Sequence, residues 1–138
     1  IFCLGAGRMG YSIQAFSMRL SHLGFNSYML GDSNLPKITP GDLVLINSSS
    51  GETKSIVLLS EIAKNNGAKL VCFSYNEASK IASMSDHKII YSHVKSFQLM
   101  KTIYEQFSFL LFDHISMEIA NKIDKSIEWI ESNHSILE

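Results

Sequence analysis

The sequence has little of what marks membrane-spanning, nucleic-acid-binding or disulfide-rich proteins. Its 138 residues include two prolines and two cysteines, and 12 Lys or Arg balance 13 Asp or Glu for a formal net charge of −1. A near-neutral chain lacks the basic surface of a nucleic-acid-binding or polybasic membrane-binding protein. The longest apolar runs, such as residues 107–112, fall far short of the roughly 18 residues that a membrane-spanning helix needs. We expect one soluble domain over residues 1–138, with neither a nucleic-acid nor a membrane partner.

Cysteine is scarce, and its placement is typical of buried free thiols. Cys3 and Cys72 each lie within an apolar run, where a thiol behaves as a small hydrophobic side chain. In nonadjacent strands of one sheet, the two residues would be too far apart to form a disulfide. We therefore expect unpaired thiols and a cytoplasmic protein.

The chain opens inside an apolar run. Residues 1–4 are typical of a strand already under way, and the first residue is Ile1 rather than Met. No basic segment with a cleavage site begins the sequence, so a secretory signal peptide is not expected. We expect further residues upstream of Ile1.

Short apolar runs alternate with helical stretches along the first two thirds of the chain. The runs are near-continuously apolar, which is typical of parallel strands buried on both faces. The five predicted strands are residues 1–4, 27–30, 42–46, 69–73 and 87–91. Helices are predicted from Gly10 to Leu23, ended by Gly24, and from Ser50 or Thr53 to near Gly67. This alternation predicts an α/β fold with three αβα layers, in which a five-stranded parallel sheet is doubly wound.

The last third of the chain predicts one long helix over residues 97–121. We interpret one apolar stripe of this helix as core. Its members are Met100, Ile103, Tyr104, Phe107, Leu111 and Ile115. A second apolar side carries Phe109, Phe112 and Ile119, together with Glu105. This side predicts either a homo-oligomer or cover by the terminal segment 123–136, whose apolar residues are Ile127, Trp129 and Ile130.

A glycine-rich turn follows the first predicted strand. Gly5-Ala-Gly-Arg-Met-Gly10 matches the pattern G-x-G-x-x-G and opens a helix. Glycines allow a tight turn and let a phosphate approach backbone N–H groups at the positive end of the helix, so Gly7 and Arg8 are candidate phosphate contacts. Asp32 follows the second strand at a spacing that would suit the ribose of a dinucleotide, so NAD binding is an alternative. A second alternative is that the glycines serve only the tight turn between strand and helix and bind no ligand.

A second polar turn, Asn47-Ser-Ser-Ser-Gly-Glu-Thr53, follows the third predicted strand. Hydroxyl and amide donors on a concave loop suit a terminal phosphate group. The candidate phosphate-binding residues are Ser48, Ser49, Ser50, Gly51 and Thr53. The alternative is that Ser50 and Thr53 only cap the following helix. Open α/β sheets bind ligands at the carboxyl ends of strands beside a topological switch point, which favours phosphate binding.

These two turns, with residues 18–25, 41–43, 67–69 and 96–106, resemble the sugar isomerase (SIS) domain and, within it, the 6-phospho-3-hexuloisomerases. The resemblance covers residues 1 to about 118. It implies a flavodoxin-like strand order with long C-terminal helices, a further helix upstream of the first strand, and a dimer or tetramer. It also implies interconversion of a 3-hexulose 6-phosphate and fructose 6-phosphate without a cofactor.

Moving a carbonyl from C3 to C2 requires a base that shifts a proton through a cis-enediolate. The resemblance assigns this role to Glu105 and places His22 as the group that opens the sugar ring or polarises the carbonyl. Gln98, in the same segment as Glu105, is a candidate substrate contact. The alternatives are that Glu105 is a solvated helix residue and that His22 complements a helix dipole. We interpret Glu52 as structural because a negative charge suits the first turn of its helix.

The chain departs from the family pattern at several positions. Met9 stands for a serine, which removes one hydroxyl from the glycine turn, and Lys101 stands for a glycine, which would put a cation near Glu105. The other departures are Leu99 for a proline and Asn47 and Ser49 for glycines. They keep open a second hypothesis, a non-catalytic domain that binds a sugar phosphate. The remaining histidines have no ligand-like spacing, so no metal is expected.

Overall fold

Strands and helices alternate through the computed structural model, which describes residues 1–134. Each of the five predicted strands is confirmed within one residue at either end. The elements are β1 Phe2–Gly5, α1 Gly7–His22, β2 Tyr28–Met29, β3 Leu43–Asn47, α2 Lys54–Asn65, β4 Lys69–Ser74, α3 Lys80–Met84, β5 His87–Ile90, α4 Thr102–Ile123 and α5 Ile127–Ser132. Among the described residues, no helix has the length and hydropathy needed to cross a membrane.

The sheet has the flavodoxin-like order β2-β1-β3-β4-β5, and all its strands are parallel. The winding reverses between β1 and β3, which makes this pair the topological switch point. Gly5 of β1 is in register with Asn47 of β3. The glycine-rich turn and the polar turn therefore begin side by side at the same edge of the sheet.

Alternate residues of each strand face opposite layers, because side chains on a strand alternate between its two faces. Cys3, Leu45 and Phe73 pack with α1 and α4 on one face, whereas Leu4, Ile46 and their neighbours pack with α2 and α3 on the other. The three-layer prediction is thus confirmed. Gly24, predicted as the end of the first helix, has φ +86° and lies just beyond α1.

The predicted core stripe of α4 is wrong in part. Met100 precedes the helix and is almost fully exposed, and Phe107 is exposed as well. Phe112 is buried instead, stacked on Phe16 with ring centroids 4.7 Å apart. Ser108 and Ser116 complete the buried face. Small serines allow α4 to pack closely against α1, and an apolar pattern does not register them.

The terminal helix α5 covers only part of α4. Ile130 lines a 420 Å³ cavity with residues of α1 and α4, including Arg19 and Met117. Trp129 packs over the turn after α1, where a Cβ on Gly24 would lie 2.6 Å from its ring. Phe109 stays 42% exposed, so the cover predicted for it is not seen in residues 1–134. Ile136 lies outside the described residues.

Both cysteines are buried free thiols, as predicted, and we expect them to resist Ellman's reagent in the native protein. Burial raises the pKa of Cys3 and raises the pKa of Cys72 to about 11. The thiolate is the reactive form, so the raised pKa values lower the fraction of reactive sulfur in the folded state. Both thiols should react after unfolding in guanidinium, and rapid reaction of the native protein would contradict the burial.

Candidate functional site

The glycine-rich turn joins β1 to α1 with close backbone packing. A Cβ on Gly10 would lie 2.9 Å from the carbonyl oxygen of Gly5, and one on Gly5 would lie 3.2 Å from the carbonyl oxygen of Asn47. Gly7 has φ +55°, and nothing lies within 4 Å of where its Cβ would be. Glycine at these positions therefore lets α1 begin directly at the strand edge, with open space beside Gly7. Amide groups at such a helix start suit an anion.

The polar turn after β3, residues 48–53, is hereafter called the serine loop. Its carbonyl oxygens are held by the protein itself. The Ser49 oxygen accepts from Tyr75 N at 3.1 Å and from the Ser74 hydroxyl at 2.9 Å, and the Gly51 oxygen accepts from Ile81 N at 3.2 Å. These bonds fasten the loop to the end of β4, to the residue that follows it and to α3. The backbone shape of the serine loop is therefore fixed before any ligand arrives.

The hydroxyl groups of the serine loop are less engaged. Within residues 1–134, the hydroxyls of Ser48, Ser49 and Thr53 make no hydrogen bond to protein. Thr53 is the N-cap of α2 by position but makes no side-chain capping bond, and the Ser50 hydroxyl accepts only from Glu52 N, at 3.3 Å. The alternative in which these residues serve only as helix caps is therefore not the arrangement seen. The loop has donors to offer to an anion.

Glu105 lies in the first turn of α4 and is only 8% exposed, so it is not a solvated helix residue. Its Oε2 accepts a hydrogen bond from Arg8 Nε, which also makes an ion pair. Arg8 belongs to the first turn of α1, and its side chain is 68% exposed. The pair places a carboxylate and a guanidinium together at the edge of the sheet where the glycine turn lies. Such a pair can hold an anionic ligand and move a proton.

Lys101, expected to put a cation near Glu105, interacts with Tyr75 and does not form an ion pair with Glu105. Its ammonium group donates to the Tyr75 hydroxyl and lies 4.1 Å from the centroid of the Tyr75 ring. Within residues 1–134 the ion pairs are Arg8 with Glu105 and Lys64 with Asp86, so Lys101 does not pair with Glu105. The cation that pairs with Glu105 is Arg8. Sequence reasoning missed it because the contact depends on how α1 and α4 cross.

Gln98 lies ahead of α4 and is tied to that helix. Its Nε2 donates to the Oε1 of Gln106 at 2.9 Å. Its own Oε1 is buried and makes no hydrogen bond within the described residues. The side chain is thus attached to α4 beside Glu105, with an acceptor to spare.

Three tyrosines form an aromatic cluster next to the first turn of α4, a feature that the sequence reasoning missed. Tyr104 stacks on Tyr75 at 4.9 Å and packs against Tyr91 at 5.4 Å between ring centroids. Burial raises the pKa of Tyr91, so its hydroxyl is neutral at physiological pH. Together with Phe107 and Ile103, two of these rings line an apolar cavity of 390 Å³ on α4.

His22 lies at the other edge of the sheet. It ends α1, and because that helix of 16 residues rises about 1.5 Å per residue, His22 stands about 20 Å from Gly7. Its ring packs 4.8 Å from that of His134, and its carbonyl oxygen accepts from Asn133 Nδ2 at 3.0 Å. The structure brings together Gly7, Arg8, the serine loop and Glu105, but within one chain it separates His22 from them. The position is the one expected of a histidine that complements a helix dipole.

Comparison with known proteins identifies similar chains over this whole fold. A family model described as the SIS domain matches residues 1–112. The 3-hexulose-6-phosphate isomerase of Bacillus subtilis strain 168 is 33% identical over 147 aligned positions, which cover all of this chain and 80% of the relative. The enzyme of the same name from Mycobacterium gastri is 31% identical, with 100% and 73% of the two chains covered.

A solved structure is also similar to this chain over nearly its whole length. A protein of Methanococcus jannaschii, whose crystal structure is described as inferring a 3-hexulose-6-phosphate isomerase function, superposes with a TM-score of 0.90 at 28% identity. The match covers 99% of this chain and 77% of that one. The likeness therefore extends to both phosphate-suited turns and to α4.

Proposed function

The chain belongs to the SIS domain family, and from that premise we propose that it is an isomerase that interconverts a 3-hexulose 6-phosphate and fructose 6-phosphate. The observation that carries the proposal is the buried Glu105 carboxylate, held at the edge of the sheet where the glycine turn and the serine loop begin. The named relatives that match across the whole chain support the same substrate class.

The phosphate group would bind to the serine loop. Ser48, Ser49 and Thr53 would donate their hydroxyls, and the N-terminus of α2 would supply backbone N–H groups and its positive dipole end. Gly7 and Arg8 would approach from the neighbouring turn. With a net charge of −1, the chain would hold this anion by local donors rather than by a positive field.

Glu105 would act as the base. It would take the proton from C2 of the 3-hexulose, leaving a cis-enediolate, and return a proton to C3, while the hydroxyl proton of O2 passes to O3. The carbonyl thereby moves from C3 to C2, and no electrons leave the substrate. The Arg8 guanidinium, released as Glu105 becomes protonated, would stabilise the anionic oxygens.

A homo-oligomer, either a dimer or a tetramer, is part of the proposal. Four large apolar side chains of α4 are exposed. They are Phe107, Phe109, Leu110 and Met117. Large apolar surface of this kind marks partner surfaces, so a second copy would cover it. His22 would then serve catalysis only in the site of a neighbouring copy. The buried free thiols support a cytoplasmic location.

One incubation with fructose 6-phosphate, followed by melting and by product analysis with NMR, tests this function. We expect a 3-hexulose 6-phosphate to appear and the unfolding free energy to rise by roughly 2.7 kcal/mol at about 100 times the dissociation constant. Stabilisation without product would identify a non-catalytic binding domain instead. NADH should leave the melting temperature unchanged, and a shift with NADH alone would favour the dinucleotide alternative.

Replacing Arg8 by Gln should weaken substrate binding. A hydrogen bond to a charged group contributes about 1.5–3 kcal/mol, so we expect KM for the sugar phosphate to rise about 10- to 100-fold. Arg19→Gln is the matched control, because Arg19 is exposed on the last turn of the same helix. Initial rates over a range of fructose 6-phosphate concentrations provide the measurement. Equal KM values for the two variants would exclude Arg8 from the site.

A further inference from the structure

Asn47, the last residue of β3, connects three elements through its side chain and is completely buried. Its Nδ2 donates to the carbonyl oxygen of Met9 at 3.1 Å and to the hydroxyl of Ser12 at 2.8 Å, both in α1. Its Oδ1 accepts from the hydroxyl of Ser108 in α4 at 3.3 Å. The amide thus uses both of its donors and one of the two acceptor positions of Oδ1 inside the protein, so it has no donor left for a ligand.

The two serines in this network are themselves fixed. The Ser12 hydroxyl donates to Met9 O at 2.9 Å, and the Ser108 hydroxyl shares its one hydrogen between Tyr104 O at 2.8 Å and Asn47. A buried network in which each group has a partner is stronger than the same bonds in water and holds its members in one arrangement. Asn47 therefore fixes the position of α4 relative to the first turns of α1.

Other polar contacts also hold the start of α4, but none of them reaches β3. Arg8 bonds Glu105, Val94 N donates to the Tyr104 hydroxyl, and Lys101 donates to the Tyr75 hydroxyl. Lys101, the N-cap of α4, makes no side-chain capping bond, and the preceding residues 91–101 contain no helix or strand. Ser108 lies one turn after Glu105, and Met9 is the neighbour of Arg8. The network of Asn47 thus lies within one helical turn of both members of the Arg8–Glu105 pair.

We propose that Asn47 is a positioning residue for the reaction: it holds the Glu105-bearing turn of α4 against α1, and so sets where the carboxylate meets the substrate. The inference rests on the proposed function for its catalytic consequence. The serine loop is held separately, by Ser48 N donating to Phe73 O and by the Tyr75 bond to Ser49. Loss of the Asn47 amide should therefore displace the base more than the phosphate site.

Two variants and one control test this role. Asn47→Ala removes all side-chain bonds of Asn47, to α1 and to α4, which together form the anchor. Ser108→Ala removes only the bond to α4. Ser116→Ala is the matched control, because Ser116 is also a buried serine of α4 that donates to the carbonyl four residues back, yet it contacts no other element through that hydroxyl. A displacement of about 1 Å can cost about 100-fold in rate. We expect kcat to fall about 100-fold in Asn47→Ala and about tenfold in Ser108→Ala, with KM changed less than about threefold.

Hydrogen exchange supplies a readout that does not need activity. The amides of residues 104–108 should exchange faster in both variants than in the wild type, and Ser116→Ala should match the wild type. The double variant should be no slower in turnover than Asn47→Ala alone, because the two changes break one connection. If Asn47→Ala does not fold, Ser108→Ala against Ser116→Ala still tests the anchor.

The outcomes separate the two proposals. A wild-type protein without turnover overturns the proposed function, while the exchange data still report on the anchor. If kcat and exchange in Ser108→Ala equal those of Ser116→Ala, or if only the melting temperature changes, Asn47 has a purely structural role and the inference is wrong.

Discussion

Glu105→Gln should leave a folded protein that binds its sugar phosphate but turns it over about 10²- to 10⁴-fold more slowly. The amide is the same size as the carboxylate and can still accept a hydrogen bond from Arg8, so the contact between α1 and α4 persists in weakened form. An amide cannot take a proton from carbon, so the step that forms the enediolate loses its base. Turnover of fructose 6-phosphate, measured by NMR, provides the rate.

The control for this variant is Glu118→Gln, which makes the same chemical change on an exposed position of the same helix. It should keep wild-type kcat and KM. Melting in the presence of fructose 6-phosphate should show that Glu105→Gln still binds. A Glu105→Gln enzyme with wild-type kcat would remove the carboxylate from the mechanism and would leave the phosphate site without a known base.

Gly51→Ala should be among the most destabilising single substitutions in the chain. Gly51 has φ +66°, and a Cβ there would clash with the Ser79 hydroxyl oxygen and lie 2.5 Å from Ser79 Cβ. The left-handed backbone costs an alanine about 1–2 kcal/mol, and the contact forces Ser79, the N-cap of α3, out of position. We expect the free energy of unfolding to fall by about 3 kcal/mol or more, measured by denaturant titration.

Gly7→Ala separates the two causes. Gly7 also has a positive φ, +55°, but its Cβ would meet nothing within 4 Å, so only the conformational cost of about 1–2 kcal/mol should appear. Adding Ser79→Gly to Gly51→Ala should recover part of the stability, because glycine removes the contacting atoms and costs an N-cap only a few tenths of a kcal/mol. Equal stability of Gly51→Ala and Gly7→Ala would show that Ser79 moves away freely.

The sheet and the meeting of its two polar turns at one edge were predictable because their signals are local. Strands buried on both faces leave continuous apolar runs, and the glycine turn and serine loop are contiguous motifs whose adjacency follows from parallel pairing of β1 with β3. The core face of α4 was not predictable in full. Its burial depends on Ser108 and Ser116, which appear polar in a hydrophobic pattern but are small enough to pack between helices.

The sequence likewise identified some residues of the candidate site but not how they meet. Glu105 was identified by resemblance, whereas its partner Arg8 lies 97 positions earlier in the chain, and nothing in the local sequence of either residue points to the other. His22 was grouped with Glu105 from the family pattern, yet the length of α1 puts it at the opposite edge. Which of these residues come together therefore depends on how α1 and α4 pack against each other, and the sequence of either helix alone does not show it.

The serine loop also has a consequence for selectivity. The carbonyl oxygens of Ser48, Ser49, Ser50 and Gly51 accept hydrogen bonds from within the protein. The one charged residue of the loop, Glu52, accepts a hydrogen bond from Lys80 N at 2.8 Å. With its carbonyl oxygens turned inward, the loop offers an incoming molecule mainly donors, which favours anions over cations. Binding that depends on short-range polarity is screened little by salt. The affinity of this edge for a phosphate ester should accordingly vary less with ionic strength than that of a site built on clustered lysines.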